Sequence, residues 1–241
     1  MRRCACLAIV ATCATTLAAQ EVLWRAEGVP EARARGYRIK RLGDVNRDGY
    51  ADLLEMTGWM STTGAGQEIW VVSGRDGDRI SSVGMIPGYT YSDDSLTPVG
   101  DMDGDRVPDY AVSAYDQFTL EKFLLVRSGL DHHVIWSVRP GSAGSQVYGQ
   151  YIAGGMDLDG DGRGDLVTSD TRASLGGLLD AYDNSGRLLY RIVDPDPNLL
   201  VATSLAPYGR DFDGDGRDDF LMGCPDVTGR GAVVQIGRAH V

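Results

Sequence analysis

One nine-residue pattern, repeated four times at nearly even spacing, constrains this chain more than any other feature. It reads DVNRDGYAD at 44–52, DMDGDRVPD at 101–109, DLDGDGRGD at 157–165 and DFDGDGRDD at 211–219. Successive copies start 57, 56 and 54 residues apart, so the chain is an array of like units. A short apolar run follows each copy: Leu53-Leu54, Tyr110-Ala111-Val112, Leu166-Val167 and Phe220-Leu221-Met222. A second run lies farther on, at Ile69–Val72, Phe123–Val126, Gly177–Ala181 and Ala232–Gln235. Turn signals come next at 73–77, 128–132 and 183–187, and then a last run at Val134–Val138 or Leu188–Val193. The opening Glu21–Trp24 has the character of that last run. Four short strands per unit with turns between them predict one antiparallel four-stranded sheet per repeat, and an all-β chain. After the first twenty residues no stretch carries a helical period.

The motif also fixes a chemistry. Acidic side chains at positions 1, 3, 5 and 9 converge on one cation when the loop wraps tightly, and glycine at position 4 or 6 permits the turn. The candidate side-chain ligands are Asp44, Asn46, Asp48 and Asp52; Asp101, Asp103, Asp105 and Asp109; Asp157, Asp159, Asp161 and Asp165; and Asp211, Asp213, Asp215 and Asp219. The backbone carbonyl of position 7 completes each ring, at Tyr50, Val107, Arg163 and Arg217. Every donor is a hard oxygen, which selects Ca²⁺ over zinc or copper, with magnesium second; about four ions are expected, one per repeat. The competing reading is four metal-free Asp-Gly turns. It leaves three or four negative charges crowded together without compensation in each loop.

Composition narrows the setting. Of 34 acidic residues 28 are aspartate, and 32 glycines favour turns over helices. A net charge of −11 argues against nucleic-acid binding, which needs a basic face. Arg2 and Arg3, an apolar stretch from Cys4 to Ala14 and small residues up to Ala19 read as a signal peptide over 1–19, too short for a membrane span. The expected location is secreted, periplasmic or cell-surface. Cys4, Cys6 and Cys13 leave with that segment, so Cys224 stands alone and no internal disulfide is available. Calcium then takes the role of staple. The repeats occupy 20–235. Residues 236–241 (IGRAHV) correspond to the translation of a common sequencing-adapter stretch, so they are set aside and the array is expected to be incomplete.

An EF-hand is the obvious rival, because Asp44–Glu55 satisfies its loop pattern in full. The other copies carry Val112, Thr168 and Met222 at the twelfth position, and the flanks are strand-like, so that reading fails.

The segments YGQYIAGGMDLDGDGRGDLV (148–167) and DFDGDGRDDFLMGCPDVTGRGAVVQ (211–235) resemble the FG-GAP repeat family, the bladed β-propeller of integrin α-subunit heads and many exported bacterial proteins. The second repeat lacks the family's aromatic-Gly pair, and the first three lack its Gly-Ala-Pro triplet. The resemblance implies a β-propeller of four-stranded antiparallel blades, about four present of a usual seven, with the calcium loops on one face. It also implies a non-catalytic binding or adhesion role toward an extracellular protein or glycan. Ligands would dock on the opposite face, among Trp59, Tyr89, Tyr91, Tyr115, Phe118 and Tyr148; the alternative is that these aromatics pack between blades. No nucleophile, phosphate-loop or zinc signature appears, and the chain is not expected to be an enzyme. His132-His133 reads as a surface turn and Cys224 as a buried small residue. The alternative function is the propeller part of a calcium-dependent polysaccharide lyase or another exported enzyme.

Overall fold

The structure, a computed structural model, describes residues 22–25, 27, 33–61, 64–92, 95–139, 147–171, 177–193, 202–225 and 231–237. The segment read as a signal peptide, with Cys4, Cys6 and Cys13, lies outside the described residues, as do 238–241.

Among the described residues the regular structure is all β. The first sheet is antiparallel, ordered β1 (Arg33–Gly43), β2 (Asp52–Ser61), β3 (Gly64–Val72) and β4 (Arg79–Gly84). In the second, the expected first strand is broken into β5 (Tyr89–Tyr91) and β6 (Thr97–Gly100), and both pair with β7 (Asp109–Asp116). A serine sits at the break. Ser95 Oγ accepts the Ser113 N–H at 2.8 Å, so a hydroxyl stands in for the partner strand. β8 (Lys122–Arg127) and β9 (Val134–Val138) complete this sheet. The third sheet is β10 (Ile152–Met156), β11 (Asp165–Asp170), β12 (Leu178–Tyr182) and β13 (Leu188–Val193). The fourth has three strands among the described residues, β14 (Ser204–Arg210), β15 (Asp219–Pro225) and β16 (Gly231–Ile236). The four-strand expectation therefore holds for the first and third sheets, while the second gains a strand and the fourth shows three.

The sheets pack face to face in chain order, and the two-residue period of the strands explains how. Phe123 and Leu125 of β8 join a core with Leu54, Met56, Ile69 and Val71 of the first sheet. Their neighbours Leu124 and Val126 point the other way, into a core with Tyr148, Leu166 and Tyr182 of the third. The third core joins Val167, Leu179 and Ala181 to Phe220, Met222 and Cys224 of the fourth, with Cys224 buried and free. The middle strands are thus apolar on both faces, whereas the outer strands β4, β9 and β13 alternate exposed and half-buried positions. The first strands lie side by side: β1 against β6, β6 against β10, β10 against β14.

A second kind of contact lies on the turns at the sheet rims. The indole of Trp24 lies on Gly77 and donates from Nε1 to the Gly74 carbonyl at 3.1 Å. Trp136 lies on Gly186 in the same manner and donates to the Asn184 carbonyl at 2.9 Å. Between them in the series, Ser81 of β4 meets His132 of the next turn, Oγ to Nε2 at 3.0 Å. The three turn residues share a left-handed backbone, with φ of 80°, 65° and 82° at Gly77, His132 and Gly186.

Candidate metal centres

Each nine-residue motif is the connection between the first and second strands of its sheet. All four are closed by the same pair, the residue before the motif against its ninth: Gly43 with Asp52, Gly100 with Asp109, Met156 with Asp165 and Arg210 with Asp219. A register shift precedes every closing pair, so the first strand bends as it delivers the loop. Positions 4 and 6 are left-handed in every copy. Six of these eight sites are glycine, and the other two are Arg47 (φ 62°) and Arg106 (φ 68°). Two non-glycine residues thus accept the strained region because the loop needs it.

The first aspartate organises the loop from within. Asp157 accepts amides from Gly160, Asp161 and Gly162 at 2.7, 3.0 and 2.8 Å. Asp211 takes Gly214, Asp215 and Gly216; Asp101 takes Gly104 and Arg106; Asp44 takes Asp48 and Gly49. These amides hold the Asp211 carboxyl below the usual carboxylate range, with Gly216 first. The ninth aspartate is buried in every loop and receives the amide of position 2: Val45, Met102, Leu158 and Phe212.

Positions 1, 3 and 9 come together. Asp101, Asp103 and Asp109 form one triad, Asp157, Asp159 and Asp165 a second, and Asp211, Asp213 and Asp219 a third, each with ligand oxygens within 4.8 Å of one another. These three acidic triads can hold a metal ion. In the first loop Asn46 at position 3 leaves Asp44 and Asp52 as the carboxylates beside a neutral amide oxygen. The fifth position has a structural task as well. Asp48, Asp105, Asp161 and Asp215 each turn Oδ1 to the backbone N–H of position 7, namely Tyr50, Val107, Arg163 and Arg217, at 2.7–3.0 Å. They brace the loop, and they stand outside the three triads. Glu55, the EF-hand-like twelfth residue, is buried on β2, where it pairs with Arg35 at 2.7 Å and accepts the Gly36 N–H at 2.6 Å.

The donor set suits a hard divalent cation, and a buried oxygen adds to the fit. Asp52 and Asp109 give their second carboxylate oxygen a further amide, from Gly74 and Gly129. That approach requires glycine, since a Cβ at either position would strike the carbonyl of Ala51 or Pro108. In the third repeat the corresponding residue is Asn184, and Asp165 Oδ1 is buried without a hydrogen bond. Burial pushes Asp109 up to about 6 against the pull of two amides, and Asp165, with one, up to about 7; neighbouring loop aspartates add to both. Such carboxylates are stabilised in their ionised form by a cation bound beside them.

Elsewhere the aromatic candidates divide. Tyr91 and Tyr148 are buried, and Tyr89 packs edge-on against Phe123, so these three serve the core. Tyr115 is half-buried. Phe118 is 88% exposed at the tip of the β7–β8 hairpin, where Asp116 caps the Phe118 and Thr119 amides. The Trp59 side chain lies outside the described residues. The expected His132-His133 surface turn is half corrected. His133 is exposed, and its hydrogen bond to Asp131 raises its pKa. His132 is buried between Tyr110 and Ser81, and burial followed by the nearby Arg127 charge lowers it to about 4. A buried network of Tyr148, Tyr182 and Asp180, with Arg191 bonded to Asp180 through Nε and a terminal nitrogen at 2.6 and 2.8 Å, was not visible in the sequence.

No protein-family model and no curated protein matches the sequence. Solved structures are similar in fold. The Bacillus licheniformis rhamnogalacturonan lyase PL11 aligns with TM-score 0.51 at 17% identity, over 79% of this chain and 41% of that one. The exotype rhamnogalacturonan lyase YesX aligns with TM-score 0.50 at 18% identity, over 79% and 39%. The V. cholerae biofilm matrix protein Bap1 aligns with TM-score 0.44 at 17% identity, over 90% and 40%. The chain thus spans about two fifths of the length of these proteins. At such identities the likeness concerns the all-β fold alone. Among the described residues, no helix is long and apolar enough to cross a membrane.

Proposed function

We propose that this chain is an exported, calcium-binding β-propeller segment of the FG-GAP type, acting as a non-catalytic binding or adhesion module for an extracellular protein or glycan. The observation that carries the reading is the fourfold identity of the loops: one closing pair, two left-handed positions and one amide-gathering aspartate in every copy. Sheets stacked in chain order with their first strands adjacent support the propeller. Hard-oxygen triads support calcium, and the Asn46 loop is included as the fourth, less charged site. The non-catalytic role is supported by how the other buried polar groups are used. Asp180 is paired with Arg191 and accepts the hydroxyls of Tyr148 and Tyr182, and His132 is held in a rim joint.

A second reading, part of a polysaccharide lyase, draws on the rhamnogalacturonan lyases whose fold is similar. One experiment separates the two. The purified protein, with calcium and with EDTA, is applied to a glycan array and incubated with rhamnogalacturonan while unsaturated product is followed by absorbance. Calcium-dependent capture of a glycan without cleavage is expected. Cleavage that requires calcium would replace the binding role with the lyase one.

A further inference from the structure

In loops two to four the eighth residue rests on the start of the preceding loop, and at one junction that contact reaches a candidate ligand residue directly. Pro108 of the second loop packs on Gly43, where an added Cβ would come within 2.6 Å of the proline Cγ. A Cβ added to Gly164 of the third would likewise come within 2.7 Å of the Val99 carbonyl oxygen. Both contacts are made to residues ahead of the first ligand, and neither adds a hydrogen bond to it. Asp218 of the fourth loop differs. Its Oδ2 accepts the N–H of Asp157 at 3.0 Å, and its own N–H donates to the Asp157 carbonyl at 2.8 Å. Asp157 is the first ligand of the third loop, and Asp218 lies between Arg217 and Asp219, the seventh and ninth positions of the fourth. Loops one and two are linked instead by an exposed contact of 3.4 Å from Arg47 to the Asp105 carbonyl.

We propose that the third and fourth loops form one coupled pair of cation sites, linked through Asp157 and Asp218, while the earlier loops bind independently. This rests on the calcium reading above. Besides the triads, that reading has in this pair the buried Asp165 oxygen that lacks a hydrogen bond. An ion in the third loop fixes the Asp157 backbone, and the two hydrogen bonds carry that order to the segment supplying two ligand positions of the fourth. The second ion then meets a loop already ordered, and the relation is reciprocal.

The test follows hydrogen exchange of the 101–109, 157–165 and 211–219 segments in the whole protein as Ca²⁺ is titrated. In the unaltered chain the latter two are expected to gain protection together, with a Hill slope above one, and 101–109 separately. Asp218→Ala is expected to split that joint transition and move both midpoints up by about fivefold or more, leaving 101–109 in place. Asp218→Asn keeps an acceptor for the Asp157 amide and retains the joint transition. Should Asp218→Ala not fold, Asp213→Asn weakens the fourth loop alone and is expected to raise the midpoint of 157–165. Independent unit-slope titration of the two loops, or a 157–165 midpoint indifferent to Asp213→Asn, overturns the coupling. Absence of any calcium response in all three segments instead overturns the metal reading itself.

Discussion

Ser81 and His132 meet at 3.0 Å across the rim of the first and second sheets, in the place that Trp136 and Gly186 hold between the second and third. A small strand residue is matched with a large turn residue in one joint, and the reverse holds in the other. Trp24 on Gly77 repeats the second arrangement. The volume at each joint is therefore shared between two positions about fifty residues apart.

Exchanging both partners should be milder than exchanging one. Ser81→Trp alone overfills the joint and is expected to cost about 1–3 kcal/mol. His132→Gly alone loses the bonds to Tyr110 and Ser81 and leaves a void, at about 2–3 kcal/mol. The double variant should recover at least about 1 kcal/mol of the summed loss. Urea unfolding of the four proteins measures the cycle, and strict additivity would count against a shared joint.

Removing calcium should lower stability substantially. At an ion concentration about ten times Kd, each site contributes about 1.4 kcal/mol, hence roughly 5 kcal/mol for four. In a chain of this size that corresponds to a drop in Tm of roughly 10–20 °C on adding EDTA. Scanning calorimetry in millimolar calcium and in EDTA checks it; coincident transitions would remove the staple role.

Protons and calcium should compete at the buried ninth aspartates. Folded values of about 6 for Asp109 and about 7 for Asp165 lie above the unfolded carboxylate value. The metal-free folded state therefore binds more protons than the unfolded state between about pH 4 and 7, so these two groups favour folding at low pH. That contribution is lost as pH rises through the folded values. His132, lowered to about 4, acts in the opposite sense, and stability falls as it is protonated below its unfolded value. Proton release isolates the aspartates. Calcium binding at pH 6 should expel roughly one to two protons and at pH 8 almost none, read by calorimetry in two buffers of different ionisation enthalpy.

Gly129→Ala should import into the second repeat what Asn184 does in the third. The new Cβ strikes the Pro108 carbonyl, and Asp109 loses the Gly129 amide. A loss of about 2–4 kcal/mol is expected in EDTA. The Asp109 carboxyl should move farther up, a shift that carbon-detected NMR titration reports. An unchanged titration would show that the amide does not tune it.

Much of this architecture was legible because it is local. The motif names its own turn residues, and a short continuous apolar run follows each copy, so Leu53, Tyr110, Leu166 and Phe220 could be placed at once. They pair in a common register with Val72, Arg127, Tyr182 and Ile236, one residue past the boundary drawn at Gln235. What stayed hidden depends on distant partners. His132 is buried because Ser81, fifty-one residues earlier, leaves room for it. The break between β5 and β6 needs the Ser95 hydroxyl at a particular amide of β7. The bracing task of the fifth aspartates was hidden too, because charge at alternating positions looks equivalent in a linear motif. In the fold Asp105 and Asp161 each give one oxygen to the amide two residues on. Asp218 offered no signal at all, being one more acid in an acidic loop.

The amides gathered by Asp157 and Asp211 have a consequence for which ions these loops admit. Once an ion has ordered such a loop, the N–H groups tied to its first residue limit how far the ring can contract. Selection then falls on ionic radius as well as on charge, because a smaller ion could draw the oxygens inward only by breaking those bonds.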